Sequence, residues 1–274
     1  MTLYVVATPL GHLDDLSPRA RHVLSTVDVV YAEDTRHSRR LMDAIGARTP
    51  MRAYHDHSDD AARDRLLDDA QRGDVALISD AGTPCISDPG YRVVRDAHAR
   101  GLEVAVVPGP SAVIALLSIA GLPTDRFTFV GFAPRKAMAR LEALREDMAR
   151  RETLVLYESP HRLLDLLDAI ATVDGDRPVA VGRELTKLHE EVLTGTAGSI
   201  ADTFRERDAV KGEIVLAIGG APEPPPASDA AIDGWVQALA RSSLRTKEAA
   251  RILADQLGLA KDDAYARVLA ARDA

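Results

Sequence analysis

The feature that most restricts the fold of this chain is a repeated local order. A short apolar run is followed by a loop of small or charged residues, and then by a helical pattern. The clearest copy begins at residues 75–78, Val-Ala-Leu-Ile, a run of the kind that forms a buried strand. It stops at Ser79-Asp80, turns through Ala81-Gly82-Thr83-Pro84 and continues to Gly90. Gly82 admits backbone conformations closed to other residues, while Pro84 fixes its own φ and biases Thr83 towards extended geometry. A carboxylate at the C-terminal end of a buried strand, followed by a rigid loop, is where open α/β sheets hold ligands.

The same order predicts strands at 3–7, 27–32 and 104–107, with helices at 19–26, 61–72 and 91–100. Ser17-Pro18 reads as an N-cap followed by proline in the first helical turn, and Gly101 as a C-cap. Residues 33–40 form a polar loop and the start of a further helix. Such alternation predicts an α/β fold with a mostly parallel sheet and right-handed crossovers. Gly121-Leu-Pro-Thr-Asp125 marks a boundary. Beyond it, strands are expected at 127–132, 153–157, 178–182 and 211–218, helices at 137–151 and 163–171, and a polar loop over 183–191. The expected organisation is an N-terminal α/β domain (1–118), a C-terminal α/β domain (119–221), a proline-rich linker (222–228) and a helical tail (229–274). In the tail, the spacing of Arg241, Arg245, Lys247 and Arg251 allows them to share one helix face.

At 274 residues and 46% apolar content, the chain can bury two cores. One cysteine, Cys85, rules out a disulfide framework and agrees with a cytoplasmic location. No run is long enough to span a membrane, and no signal peptide is evident. A net charge of −8 argues against non-specific nucleic-acid binding, DNA included. With 4% aromatics, a base-stacking sheet like that of an RNA-recognition domain is not expected. There is no G-x-x-x-x-G-K-[ST], no G-x-G-x-x-G and no G-x-S-x-G, so phosphate-loop, dinucleotide-binding and nucleophile-elbow chemistries lose support. His55, Asp56, His57 and Asp59 lack zinc spacing, and no metal is expected.

What remains is a set of strand-exit loops, each weak alone and specific together. These are Thr8-Pro-Leu-Gly-x-Leu-x-Asp15, Ala32-Glu-Asp-Thr-Arg36, Ile78-Ser-Asp-Ala-Gly-Thr-Pro-x-Ile-Ser-Asp-Pro-Gly90, Val107-Pro-Gly-Pro-Ser-Ala112, Glu158-Ser-Pro-His-Arg162, Arg183-Glu-Leu-Thr-Lys187 and Lys211-Gly-Glu213. In this order they resemble the signature set of the tetrapyrrole-methylase superfamily, and within it the ribosomal RNA small subunit methyltransferase I branch. His12 departs from the asparagine usual there.

The resemblance implies two α/β domains with S-adenosylmethionine in the cleft between them, and a homodimer. It also implies 2′-O-methylation of a cytidine in the decoding region of 16S rRNA, on the 30S subunit. By the same resemblance Leu10, Asp80, Gly82, Thr83, Ser111, Ala112, Tyr157, Leu185 and Gly212 hold the cofactor. Tyr157 either faces the sulfonium or is a core tyrosine with a satisfied hydroxyl. A ribose hydroxyl is a poor nucleophile, so a base or a cation is expected near it, and Glu33, Asp34, His161, Lys187 and Glu191 are the candidates. Arg36, Arg39, Arg40, Arg135, Lys136, Arg162 and Lys187 are candidates for phosphates of the RNA, with structural ion pairs the competing fate of Arg162 and Arg183. The rival readings are a methylase of a corrin or porphyrin ring, and a cofactor- and rRNA-binding module without turnover.

Overall fold

The computed structural model describes residues 1–55, 60–87, 90–223 and 228–273. Asp56, His57 and Asp59 of the histidine cluster, Asp88-Pro89 and most of the expected linker lie outside the described residues. The chain divides into two compact units, 1–221 and 222–274.

The first sheet contains β1 (Thr2–Val6), β2 (Val29–Ala32), β3 (Met51–Ala53), β4 (Val75–Ile78) and β5 (Glu103–Val107) in the order β3-β2-β4-β1-β5. Every pairing in it is parallel. All residues of β2 and β4 are buried, as expected of strands covered by helices on both faces. One face packs on α1 (Pro18–Thr26) and α2 (Thr35–Ile45) through Leu24, Leu41 and Met42. The other packs on α3 (Asp60–Arg72) and α4 (Tyr91–Ala99) through Leu66, Leu67 and Val93. Ser17 caps α1 by accepting from the Ala20 N–H, with Pro18 in the first turn, as the sequence predicts.

The second sheet differs from expectation. Its order is β6-β7-β10-β8-β9, from β6 (Phe127–Phe132), β7 (Thr153–Glu158), β8 (Pro178–Arg183), β9 (Glu191–Thr196) and β10 (Ile214–Ile218). Only β6 and β7 pair in parallel; β10 runs antiparallel to β7 and β8, and β9 antiparallel to β8. The expected polar loop therefore ends in a strand, β9. Its half-exposed edge position explains the weak apolar pattern. The same applies to β3, a three-residue edge strand.

α5 (Ala112–Ile119) leaves the first sheet yet packs on the second, through Val113, Leu116 and Leu117 against Val155, Ala180 and Ala217. The far face of that sheet is covered by α6 (Ala137–Asp147), α7 (Leu163–Val173) and α8 (Ala197–Arg205). Nearby, the buried Arg177 donates from Nη1 to the Met148 and Gly219 carbonyls at 3.1 and 3.0 Å, and from Nε to Asp174 at 3.0 Å.

The second unit contains α9 (Asp229–Ala240), α10 (Thr246–Leu257) and α11 (Lys261–Asp273), packed through Ile232, Val236, Leu253 and Val268. Gly258 ends α10 in a left-handed conformation. Arg241 closes α9 and Arg245 caps α10, so the four tail cations do not share one helix, as the spacing had suggested. The chain turns between them. No helix among the described residues is long and apolar enough to cross a membrane.

Candidate active-site cleft

The exit loops of both sheets, with the loop that enters the antiparallel β10, close on one cleft of about 370 Å³. Its first wall is a laced set of loops. Thr8 and Gly82 exchange backbone hydrogen bonds at 2.9 and 3.1 Å, and the Thr83 hydroxyl donates to the Pro110 carbonyl at 3.0 Å. Gly82 has φ +77°, and a methyl there would approach Leu10 Cδ2 at 3.2 Å. The turn thus needs glycine for its backbone and for its closeness to Leu10. Asp80 Oδ1 accepts from the Asp34 N–H at 3.0 Å, which ties the β4 exit to the start of α2.

Tyr157, Gly182, Leu185 and Gly212 line the wall formed by the second sheet. There the loop after β8 is held in costly geometry, with Glu184 at φ +52° and Thr186 at φ +64°. Glu184 Oε1 accepts from the Glu213 N–H at 2.9 Å and from Lys187 Nζ at 2.8 Å. Lys187 also meets Glu213 Oε2 at 3.2 Å, and its stem lies over Gly11, where a side chain would overlap it. One lysine therefore fastens the first exit loop to two loops of the second sheet. Burial opposes the charge on Lys187, but the Glu184 and Glu213 carboxylates outweigh it and hold its pKa above the ordinary value.

All nine residues that the resemblance assigned to the cofactor line this cleft: Leu10, Asp80, Gly82, Thr83, Ser111, Ala112, Tyr157, Leu185 and Gly212. Glu33 lines it too. The other four acid–base candidates do not. Asp34 caps α2 and is held by the Arg36 guanidinium, which pulls its carboxyl down to about 2. Glu191 accepts from Arg207 at 2.6 and 2.8 Å and from Arg183 at 3.0 Å. These bonds, that to Arg207 foremost, likewise lower it to about 2. Carboxylates so acidic are poor bases near neutrality. His161 is exposed outside the cleft wall, and Lys187 is committed to its two glutamates. Residues of the wall that sequence reasoning missed include Ile86, Phe132, Gly182 and Glu213. Glu213 lies within a motif the sequence did single out, but no signal set it apart from its neighbours.

Glu191 carries a pH prediction. Its folded pKa lies below the ordinary 4.5, so its ion pairs stabilise the protein above about pH 4.5, and that contribution is lost as pH falls towards 2. The melting-temperature deficit of Glu191→Gln against the parent should therefore be largest near neutrality and shrink through this range. A deficit independent of pH in thermal unfolding would contradict it.

Among the expected RNA contacts, Arg162 is otherwise engaged. Its Nη2 donates to the Ala133 carbonyl at 2.6 Å and lies 3.1 Å from the fully buried carboxylate of Glu158. It braces the β6 and β7 exits and is not offered to a phosphate. Arg36, Arg39, Arg40, Arg135 and Lys136 are exposed.

The comparisons with known proteins agree with this architecture. The family model described as Tetrapyrrole (Corrin/Porphyrin) Methylases matches residues 2–201. A cobalt precorrin-4 methyltransferase shares the fold at TM-score 0.59 and 18% identity, covering 79% of this chain and 94% of its own. Uroporphyrin-III-C-methyltransferase from Thermus thermophilus does so at TM-score 0.59 and 21% identity, covering 80% and 94%. Relatives named ribosomal RNA small subunit methyltransferase I are far more similar. The Xylella fastidiosa (strain Temecula1) protein is 43% identical, over 96% of this chain and 97% of its own. That from Mesorhizobium japonicum is 44% identical, over 99% and 92%. That from Escherichia coli O157:H7 is 42% identical, over 96% and 93%. The chain belongs to the ribosomal RNA small subunit methyltransferase I family.

His12, the residue at which the first loop departs from the resemblance, caps the short 3-10 turn Leu13–Asp15, its Nδ1 accepting from the Asp14 N–H at 3.3 Å. An asparagine oxygen can do the same, so the substitution keeps the turn. The family match also takes in the helical tail, which the superfamily model, ending at residue 201, does not reach.

Proposed function

We propose that this protein is an S-adenosylmethionine-dependent methyltransferase that methylates the ribose 2′-hydroxyl of a cytidine in the decoding region of 16S rRNA, on the 30S subunit. The observation that carries this reading is the closure of the matched exit loops of both sheets on one cleft, in a chain whose full-length relatives are named for rRNA. The cleft fits the cofactor: its volume is that of a small-molecule site, and glycine and small residues let backbone groups approach a ligand. Asp80 and Glu33 supply acceptors for polar and cationic groups. Tyr157 offers a ring face to the sulfonium.

The cofactor supplies an electrophilic methyl on sulfur. With it bound, the ribose oxygen would take that methyl, the sulfur would keep the bonding electrons, and the chain's part would be to accept the hydroxyl proton. Glu33 is the acceptor we assign to that proton, because of the five candidates it is the one that lines the cleft. Most of the rate comes from holding the two reactants in line and away from water. Arg36, Arg39, Arg40, Arg135 and Lys136 would meet the RNA backbone. Such an enzyme works in the cytoplasm, and we expect a homodimer there.

The test is transfer of labelled methyl from S-adenosylmethionine to 30S subunits from a strain lacking the enzyme, followed by nucleoside analysis. A 2′-O-methylated cytidine is the expected product. No transfer to 30S, free 16S rRNA or precursor particles, with cofactor still bound, would overturn the reading in favour of a tetrapyrrole substrate.

A further inference from the structure

Phe132 is an aromatic side chain in an unusual place. It is 54% exposed, yet it lines the cleft. Its orientation depends on an irregularity in β6. Phe129 pairs with Val155 on the face that packs against α5. Strict alternation would set Gly131 against Tyr157 and turn Phe132 to the opposite face, with Val130. The register instead shifts between Phe129 and Gly131, so Phe132 pairs with Tyr157. A bulge of this kind re-aims one side chain. The three rings then stand together, Tyr157 4.9 Å from Phe129 and 5.8 Å from Phe132 between centroids.

The loop across from the bulge is close. A methyl on Gly131, which has φ +73°, would lie 3.3 Å from the Ser87 hydroxyl. Ile86, the residue before Ser87, is 45% exposed and also lines the cleft. A ring and an aliphatic chain, both exposed, thus line the cleft from neighbouring loops. Three and four residues along the chain from Phe132 stand the exposed cations Arg135 and Lys136. An exposed ring with cations close to it in the chain is a combination suited to single-stranded nucleic acid, stacking for a base and charge for its flanking phosphates.

We propose that Phe132 stacks on the unpaired base of the acceptor nucleotide, with Ile86 forming the opposing side of the slot. This rests on the RNA-methyltransferase reading above. Where the acceptor nucleotide leaves the helical stack to bring its ribose into the cleft, the displaced base needs an apolar face to replace its neighbours. The low aromatic content argues against an extended sheet of stacking rings, but a single exposed ring suffices for one base.

The test compares wild-type protein with Phe132→Ala, Phe132→Leu and Phe132→Trp. Two quantities are measured: KM for 30S subunits from a strain lacking the enzyme, and the dissociation constant of S-adenosylmethionine by calorimetry. The alanine and leucine variants should raise KM about tenfold, the typical effect of losing one stacked base, while tryptophan restores it. Cofactor affinity should change far less than KM in all three. Full activity of the leucine variant would reduce the ring to apolar filling. A parallel loss of cofactor affinity would assign it to the adenosine site instead. Either result, or an unaltered KM in the alanine variant, overturns the proposal while leaving RNA methylation standing. Failure of the wild-type enzyme to methylate any rRNA would remove both.

Discussion

Replacing Gly212 by alanine should weaken S-adenosylmethionine binding by about fivefold to 150-fold, the equivalent of the roughly 1–3 kcal/mol that an unfavourable backbone conformation costs. Gly212 lines the cleft at φ +98°, where a residue with a Cβ is strained. Space is lacking as well. The added methyl would overlap the Glu184 side chain, 2.6 Å from its Oε1. That oxygen holds the Glu213 N–H and Lys187, so moving it loosens the fastening between Gly11 and the second sheet. Gly46→Ala provides the control. Gly46 is also left-handed, at φ +72°, but ends α2 with nothing within 4 Å. It should lower stability by about 1 kcal/mol and leave binding alone. Calorimetric affinities of the two variants decide the matter; equal affinity for Gly212→Ala and wild type would refute the role of this turn.

Arg177→Ala should be the most destabilising of the changes considered, by about 3 kcal/mol. The guanidinium is 7% exposed and satisfies two backbone carbonyls, those of Met148 and Gly219, while pairing with Asp174. Its removal leaves both carbonyls without this donor in a place water reaches poorly. Lysine should recover little of the loss, because a single ammonium lacks the planar fork that spans the two carbonyls and the carboxylate. For a unit of this size the melting temperature should fall by roughly 10 °C. Thermal unfolding followed by circular dichroism measures it, and a fall of less than about 2 °C would show that the site relaxes without cost.

The first sheet was legible because parallel strands buried on both faces appear as unbroken apolar runs, as in Val75–Ile78. The second sheet was less so. β9 is an edge strand whose first residue, Glu191, owes its place to Arg183 and Arg207, the latter sixteen residues away. Nothing local announces such a partner. The fate of Asp34 was closer to hand: Arg36 stands two residues on, and their pairing was readable as an alternative to catalysis.

The amino-acid order alone determined the alternation of strands and helices, the exit loops and, through their resemblance, the family. These are short-range properties, set by residue type and spacing within a few positions. Tertiary structure decided which loops share the cleft, that the second sheet is mixed, which carboxylates are locked in ion pairs and which way Phe132 points. Each of these depends on groups brought together from distant parts of the chain. The bulge in β6 illustrates the division. Gly131 is visible in the sequence, but only pairing with β7 reveals the one-residue shift that turns Phe132 towards the cleft.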